Sequence, residues 1–326
     1  MTTPVARNRS TAGMTKREMP KAIQIRMGGY GPVSTGFSRA LKFMGDKLAA
    51  QFGDGIDVKY VWNIMDFGYR AEDILWLVEH GLLTLGYQSS SYLTDRVAEL
   101  GIADLPFLFL DNARARAAVD GAFGEMLVRK IEENVDYRIL GFFENGFRQI
   151  SNRLRPVHVP KDLAGMRIRV LPSKIQARTF ELLGAVPLMW DLTEALAAIK
   201  AGEIDAQENP FANTVTYGAH KFHRFHTVTN HFYVSRPIFV HRPTFDAYPS
   251  DLQEAFREAA SEAVEYQRKL AIEEDAQARR AVIEAGCEII TLSAGEHEAF
   301  AAAVNPIYAE ARQRYGKQAL ALAGVT

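Results

Sequence analysis

The chain has 326 residues, of which 48% are hydrophobic, and this is enough to bury a core in each of two lobes of ordinary domain size. Its formal net charge is -1 with both signs interspersed, so the sequence predicts neither a basic stripe for nucleic acid nor a polybasic block for an anionic membrane. No apolar stretch approaches the roughly 20 residues of a membrane-spanning helix, and we expect no stable membrane insertion.

The first segment, residues 1–21, is polar and is predicted to be disordered. It carries Arg7, Arg9, Lys16 and Arg17 but no apolar run of roughly 7–15 residues, so it is not a secretory signal peptide as written. Either an export signal is missing from this sequence, or the protein stays in the cytoplasm.

From Ala22 onward the chain alternates strand-like and helix-like segments. Strands over 23–27, 57–62 and 82–87, with helices over 37–52 and 70–79 between them, predict a βαβαβ unit with a parallel sheet. The loops after these strands share one rim of the sheet, where open α/β sheets place their ligands. Those loops contain Tyr30, Gln88 and Ser90.

A second α/β set is predicted over residues 147–209, with strands at 148–151, 166–170, 186–190 and a short stub at Ile204. Apolar and basic residues alternate over 166–170, so Arg167 and Arg169 share a face. Arg169 comes near the end of its strand, and its planar fork can hold a carboxylate through two parallel hydrogen bonds, which lysine cannot do. The alternative, that Arg148 and Arg169 are surface charges paired with acids, stays open on spacing alone.

A polar run, Gln207-Glu208-Asn209-Pro210, follows the Ile204 stub. The helix composition over 194–201 ends at Gly202, and Pro210 stops further strand pairing, so we expect side-chain amides and a carboxylate at the tip of a strand. With Arg148 and Arg169, this run predicts a carboxylate-binding site. Glu208 could act as a general acid or base, but no nucleophile with a partner base is recognisable, and no catalytic residue is predicted.

Two long elements are expected to connect the lobes. Residues 225–240 alternate and are rich in β-branched and aromatic side chains, which predicts one extended strand. Residues 250–285 predict a helix on the order of 50 Å long, opened by a Ser250-x-x-Gln253 capping box and ended by Gly286. Several crossings and a spanning helix suit hinge closure over a ligand.

The histidines His220, His223 and His226 have a spacing that invites a metal proposal. On a helix the third would be rotated roughly 240° from the first, so the three cannot share a face, and we predict no metal and no cofactor. His231 is expected to be structural. For Trp190 a core position and a stacking surface are equally open.

Several short motifs, in order, resemble the solute-binding proteins of TRAP transporters, the DctP-like family. They are Phe67-Gly68, Leu105-Pro-Phe-Leu-Phe109, Gly165-Met-Arg-Ile-Arg-Val170, the helix over 194–199, Gln207-Glu208-Asn209-Pro210, Asn213 and Thr229-Asn230-His231. The resemblance runs from about Ile23 to about Gly316. Two departures, Ala206 for the family's usual Gly and Leu196 for its common Tyr, leave the carboxylate anchor intact.

The resemblance implies an α/β, two-lobed, periplasmic-binding-protein-like fold with a long helix spanning both lobes. It places residues 22–146 plus 234–272 in the first lobe and 147–233 plus 273–326 in the second. It implies a monomeric, non-enzymatic, periplasmic protein that captures a small organic carboxylate by lobe closure and delivers it to TRAP membrane subunits. A dicarboxylate, sugar acid, hydroxy acid or aromatic acid would fit. The alternative is a cytoplasmic carboxylate sensor or a small α/β enzyme acting on an organic acid.

By the same resemblance Arg169 is the carboxylate clamp, assisted by Arg148 and Asn209. The rest of the ligand would be selected by Tyr30, Gln88, Ser90, Glu208, Trp190, Phe211 and Tyr233.

Overall fold

The structure is a computed structural model that describes residues 22–325. The predicted disordered segment and the question of an export signal, both at residues 1–21, lie outside the described residues. Within the described part no helix is long and apolar enough to cross a membrane.

The elements alternate between strand and helix along most of the chain, as the sequence patterns predict. The strands are β1 (Ile23–Gly28), β2 (Ile56–Val61), β3 (Leu85–Tyr87), β4 (Tyr137–Phe147), β5 (Gln149–Asn152), β6 (Arg167–Val170), β7 (Val186–Met189), β8 (Ala206–Asn209), β9 (Phe225–Val228), β10 (Tyr233–His241) and β11 (Glu288–Thr291). The helices are α1 (Gly36–Phe52), α2 (Asp73–Glu79), α3 (Asn112–Val119), α4 (Ala122–Asn134), α5 (Lys174–Leu182), α6 (Leu192–Ala201), α7 (Phe211–Thr216), α8 (Arg242–Asp246), α9 (Ser250–Glu284), α10 (Ala294–Val304) and α11 (Pro306–Leu322).

Two sheets organise the molecule. The first has the strand order β2-β1-β3-β10-β4, and we call this sheet with its helices the first lobe. The second has the order β11-β9-β5-β8-β6-β7 and defines the second lobe. In the first sheet β1 is parallel to β2 and β3, and in the second β6 is parallel to β7 and β8. Loops after these strands therefore gather at one edge of each sheet.

The predicted single strand over 225–240 is wrong. β9 pairs in the second sheet and β10 in the first, and the chain bends between them at Asn230, whose φ is 48°. Local bonds hold this break: the Asn230 amide donates to the Gln149 side chain at 3.0 Å, and the Arg148 amide donates to the Phe232 carbonyl at 2.9 Å. These bonds satisfy the backbone where a continuous ladder would otherwise be needed.

The long helix α9 spans both lobes, as predicted. Its 35 residues make it about 52 Å long at 1.5 Å per residue. It packs against α1 and β4 in the first lobe and against α7 and β11 in the second. The predicted capping box does not form, because Pro249 holds the N-cap position and Gln253 instead donates to the carbonyls of Asp246 and Tyr248.

The C-terminal helix returns to the first lobe. Ile307, Ala311 and Leu320 of α11 are buried in the hydrophobic cluster that also contains the core of the first sheet. Phe300 and Val304 of α10 belong instead to the cluster around the second sheet. Because α11 also contacts α5 of the second lobe, it packs on both lobes. The sequence-based division assigns residues 273–326 to the second lobe.

Candidate functional site

A small cavity lies between the carboxyl edges of the two sheets. Its volume is about 20 Å³, and it adjoins a larger pocket of about 420 Å³ that shares Asn145, Asn213 and Tyr217 as walls. The first lobe lines the small cavity with Tyr30, Gln88, Ser89, Tyr92, Asn145 and Arg236, and the second lobe with Arg148, Arg169, Leu171, Leu192, Asn209, Asn213 and Tyr217.

Arg169 reaches this cavity from the end of β6. Its side chain is 1% exposed, so the alternative of a surface charge is wrong for it. Its Nε donates to the Trp190 carbonyl at 2.9 Å and its Nη2 to the Tyr92 hydroxyl at 3.1 Å. Among the described residues no carboxylate lies within 4.0 Å of this guanidinium. Its neighbour on the same face, Arg167, is exposed and pairs with Asp205 at 3.2 Å.

Arg148 is also buried, but it has an acidic partner. Its Nε and Nη2 donate to the two carboxylate oxygens of Glu208, with Nη2 at 2.8 Å from Oε1 and 2.6 Å from the Glu208 carbonyl. His231 lies with Nε2 at 3.5 Å from Glu208 Oε2. Burial raises the pKa of the Glu208 carboxyl, but Arg148 and His231 lower it by more, so the net shift is downward. Glu208 is therefore an ionised orienting group for Arg148.

The polar run around Glu208 is not at the tip of a strand, and this prediction is wrong. Residues 206–209 form β8 itself, which lies between β5 and β6 near the middle of the second sheet and is buried along its length. Gln207 donates to Thr214 at 3.2 Å, and Asn209 donates to Gln207 at 3.3 Å. These side-chain hydrogen bonds satisfy the polar groups, so polar residues can occupy a buried central strand. A search for apolar strand patterns does not detect such a strand.

Arg236 is a third buried arginine at the cavity, and the sequence reasoning did not single it out. It is 4% exposed, and its guanidinium lies 4.0 Å from the ring centre of Phe37 and 5.1 Å from that of Tyr30. Within residues 22–325 it has no carboxylate within 4.0 Å, and its Nε has no hydrogen-bond partner. Burial lowers the pKa of Arg236, but Tyr30, Tyr217 and Tyr87 raise it by more, so it stays charged. The available signal was an arginine next to Ser235 in the predominantly apolar strand β10.

Five of the ten predicted site residues line the cavity: Tyr30, Gln88, Arg148, Arg169 and Asn209. The Gln88 side chain also donates to the Ala71 carbonyl, in the loop before α2, at 2.7 Å and accepts from the adjacent Ser89 amide at 2.8 Å.

The other five predicted residues, Ser90, Glu208, Trp190, Phe211 and Tyr233, lie outside the lining, each for a packing reason. Trp190 offers its backbone carbonyl to Arg169, while its side chain packs beside Ala198 and Ile199 of α6. Phe211 is buried with Ala278 and Val282.

Tyr233 and Ser90 complete this set. The Tyr233 hydroxyl donates to Glu144 at 2.9 Å, and the same carboxylate is held by Arg116. Ser90 is buried, and it is the adjacent Ser89 that lines the cavity.

The histidine triplet is built into the second lobe. His223 Nδ1 lies 3.0 Å from Ser151 Oγ, and His226 Nε2 lies 2.9 Å from the His223 carbonyl. Burial lowers the pKa of His223 to about 3 and that of His226 to about 4. Both rings are neutral at pH 7 and act as hydrogen-bonding core residues.

Two backbone amides of the first lobe donate hydrogen bonds to side chains of the second lobe at the mouth of the cavity. The Ala71 amide donates to Thr193 Oγ1 and the Glu72 amide to Asp191 Oδ2, both at 3.1 Å. Leu192, at the start of α6, is buried in the hydrophobic cluster of the first lobe. The N-terminus of α6 thus docks onto the loop before α2, and the structure shows the lobes in a closed arrangement.

The charges around the cavity favour an anion. Arg148, Arg169 and Arg236 are three buried guanidinium groups, and Glu208 pairs with only one of them. Burying a charge without a partner is costly, so a cavity with two unpaired cations on its walls is suited to a negatively charged ligand.

Comparison with known proteins points to the same chemistry. The model of the family "Bacterial extracellular solute-binding protein, family 7", DctP, matches residues 68–314. The chain is 32% identical over 224 residues to the 2,3-diketo-L-gulonate-binding periplasmic protein YiaO of Escherichia coli K12, covering 68% of this chain and 67% of the relative. It is 30% identical over 226 residues to the C4-dicarboxylate-binding periplasmic protein DctP of Rhodobacter capsulatus, covering 69% and 67%.

Solved structures confirm the predicted two-lobed α/β fold. A TRAP periplasmic solute-binding protein from Xanthobacter autotrophicus Py2, with bound β-D-galacturonate, superposes with a TM-score of 0.85 at 25% identity, covering 93% of this chain and 100% of that chain.

Proposed function

Because this chain belongs to family 7 of the bacterial extracellular solute-binding proteins, the DctP family, we propose that it captures a small organic carboxylate between its lobes and delivers it to the membrane subunits of a TRAP transporter. In this role it is a non-enzymatic protein of the periplasm, as the names of its two periplasmic relatives suggest.

The observation that carries the proposal is the unpaired guanidinium of Arg169. Arginine has five N–H donors, and here Nε and one N–H of Nη2 are taken by Trp190 and Tyr92. The remaining donors are the two on Nη1 and the second one on Nη2. A donor on Nη1 together with one on Nη2 can form two parallel hydrogen bonds with the two oxygens of a carboxylate.

The division of the lining between the lobes supports capture by closure. Arg148, Arg169 and Asn209 come from the second lobe, whereas Tyr30 and Gln88 come from the first. One ligand contacts both sets only when the lobes close. A ligand that contacts both lobes therefore favours the closed form by its differential affinity.

The proposal is tested by a thermal-shift screen over a library of carboxylates, followed by calorimetry. A ligand at 100 times its Kd adds about 2.7 kcal/mol to the free energy of unfolding, which such a screen detects. We expect at least one carboxylate to bind and Arg169→Lys to lose it, because a point charge does not reproduce the fork. The matched control is Arg167→Lys, two residues earlier on the same strand but paired with Asp205 outside the cavity.

Two results would contradict the proposal. One is an affinity of Arg169→Lys within about threefold of the unmodified protein. The other is chemical turnover of the bound acid, followed by NMR over hours with purified protein, which would favour an enzyme.

A further inference from the structure

A buried carboxyl group lies at a second contact between the lobes, outside the lining of the cavity. Asp104 is 1% exposed and belongs to the loop between β3 and α3, where Ile102 and Leu105 are part of the first-lobe core. Its Oδ1 accepts a hydrogen bond from Gln176 Nε2, on α5 of the second lobe, at 3.0 Å. The same amide nitrogen donates to Ser91 Oγ of the first lobe at 3.1 Å. Both hydrogen bonds therefore cross from one lobe to the other.

This contact has more hydrogen-bond acceptors than donors. Ser91 Oγ donates to Asp104 Oδ1 at 2.7 Å, so both bonds to that oxygen come from neutral groups. Asp104 Oδ2 and Gln176 Oε1 are buried and have no hydrogen-bond partner among the described residues. Burying an ionised carboxylate without a cation is costly, whereas a protonated carboxyl group is neutral and adds one donor. The contact therefore favours the protonated form of Asp104.

The titratable groups that face Asp104 from other elements do not favour its ionised form. Burial raises the pKa of Asp104, its hydroxyl and amide neighbours lower it by less, and the Glu208 carboxylate on β8 raises it further, so the net shift is upward. Tyr315 faces Asp104 from α11, and because burial raises the pKa of Tyr315 to about 12, this ring carries no charge at pH 7.

We propose that Asp104 is a proton switch for lobe closure, ionised when the lobes are apart and protonated when α5 packs against its loop. When the lobes separate, Gln176 leaves and water solvates the carboxylate. When they close, Asp104 takes up one proton from the solvent, because the closed contact supplies no cation to balance its charge. This regulation rests on the proposed function only where a bound ligand is used to drive closure.

The direction of the pH dependence follows from this linkage. Because the carboxyl group has a higher pKa in the closed form than in the open form, closure is favoured as the pH falls from above the closed-form value toward the open-form value. A carboxylate ligand that selects the closed form should therefore bind more tightly in mild acid. Linkage to a single proton changes Kd by at most about tenfold per pH unit.

The test uses the full chain and the carboxylate found by screening, with calorimetry at several values between pH 5.5 and 8.0. Each titration is repeated in two buffers of different ionisation enthalpy, which counts the protons taken up on binding. We expect the unmodified protein to take up protons in part of this range and its Kd to rise with pH. Asp104→Asn has the size of the protonated acid and no charge. It should take up fewer protons, by at most one, and should bind more tightly than the unmodified protein at pH 8.0.

Asp95→Asn is the matched control. Asp95 lies in the same loop and also crosses to α5, where it pairs with Lys174 at 2.9 Å, but both side chains are exposed to solvent. Its replacement removes a carboxylate from the same face without changing a buried group, so proton uptake should stay as in the unmodified protein.

A second variant tests the switch independently of Asp104→Asn, whether or not that variant folds. Gln176→Glu places another carboxyl group beside Asp104 in the closed form. Two buried acids in contact cannot both be ionised at low cost. We therefore expect Gln176→Glu to weaken binding strongly at pH 8.0 and to recover most of the affinity at pH 5.5. An equal loss at both pH values would contradict the proton switch.

The outcomes separate this inference from the proposed function. Equal proton uptake by the unmodified protein and Asp104→Asn overturns the inference and leaves the carboxylate function standing. If no carboxylate binds, the proposed function fails, and small-angle scattering of the free protein decides the inference. The radius of gyration of the unmodified protein should then be smaller at pH 5.5 than at pH 8.0, with no such difference in Asp104→Asn. Equal values at both pH values in the unmodified protein would overturn the inference as well.

Discussion

The hydroxyl of Tyr92, on the first lobe, accepts a hydrogen bond from Nη2 of Arg169, on the second, at 3.1 Å. The same hydroxyl also accepts the amide of Leu192 at 3.2 Å, so one oxygen connects the candidate carboxylate clamp to the start of α6. Within the second lobe the Trp190 carbonyl already accepts from Nε of Arg169, and Tyr92 adds a second orienting bond across the lobes. Closing the cleft therefore completes the set of bonds that orients Arg169.

Tyr92→Phe is expected to weaken carboxylate binding without unfolding the protein. The ring stays packed, but Arg169 loses one of its two orienting bonds, and a hydrogen bond to a charged group contributes about 1.5–3 kcal/mol. Calorimetry with a carboxylate found by screening measures the loss. Tyr60→Phe is the control, because the Tyr60 hydroxyl donates to the Lys42 carbonyl away from the cavity. Equal affinities of Tyr92→Phe and the unmodified protein would show that this bond does not position the clamp.

Glu208→Gln is expected to destabilise the fold, since it leaves Arg148 buried without its counter-charge. Breaking a buried ion pair from one side costs about 3–5 kcal/mol. Urea denaturation at pH 7 measures the change in the free energy of unfolding. Glu203→Gln, an exposed glutamate after α6, should change it little. A cost for Glu208→Gln as small as that of Glu203→Gln would contradict the orienting role given to Glu208.

The same pair predicts a dependence on acid. The pKa of Glu208 is lowered in the folded protein, so its contribution is present above the ordinary value of 4.5 and is lost as the pH falls through the lower folded value. The difference in the free energy of unfolding between the unmodified protein and Glu208→Gln should therefore shrink below about pH 4.5. Denaturation curves between pH 3 and 7 check this sign.

The buried histidines predict a second pH window. Folding lowers the pKa of His223 from 6.5 to about 3 and that of His226 from 6.5 to about 4, so the unfolded chain binds more protons below pH 6.5. Stability should fall as the pH drops from about 6.5 toward 4, and the fall should be shallower in a double replacement by Gln. Ligand affinity at pH 7.5 should be unchanged in that variant. Loss of affinity together with loss of a stoichiometric metal would overturn this reading of the histidines.

Sequence patterns predicted the parts of the site that depend on local periodicity. Arg169 was found because alternation over β6 fixes which way its side chain points, and Tyr30 and Gln88 because they follow parallel strands. Two cavity residues that the sequence did not predict, Asn145 and Arg236, depend on long-range packing. Asn145 faces the cavity because of a bulge between β4 and β10, and whether Arg236 has an acidic partner depends on residues far away in the chain.

Long-range packing also explains why some predicted site residues lie outside the cavity lining. Phe211 and Tyr233 are close in sequence to the polar run and to the lobe crossing, but each turns into a buried cluster or onto a buried carboxylate. Glu208 has the residue type of a ligand contact, and only the tertiary position of Arg148 decides that its carboxylate is already occupied.

Closure itself is testable through the contacts at the cavity mouth. The Ala71 and Glu72 amides bond Thr193 and Asp191 only when α6 meets the first lobe, so Thr193→Ala should shift the free protein toward an open form and weaken binding of any carboxylate. Small-angle scattering should show a larger radius of gyration for Thr193→Ala without ligand, and a decrease in both proteins when ligand saturates them. The long helix α9 packs on both lobes and should bend rather than break, so helix content measured by circular dichroism should stay constant. A radius of gyration that is unchanged by a tightly bound ligand, in both proteins, would indicate a preformed rigid pocket and would exclude lobe closure as the capture mechanism.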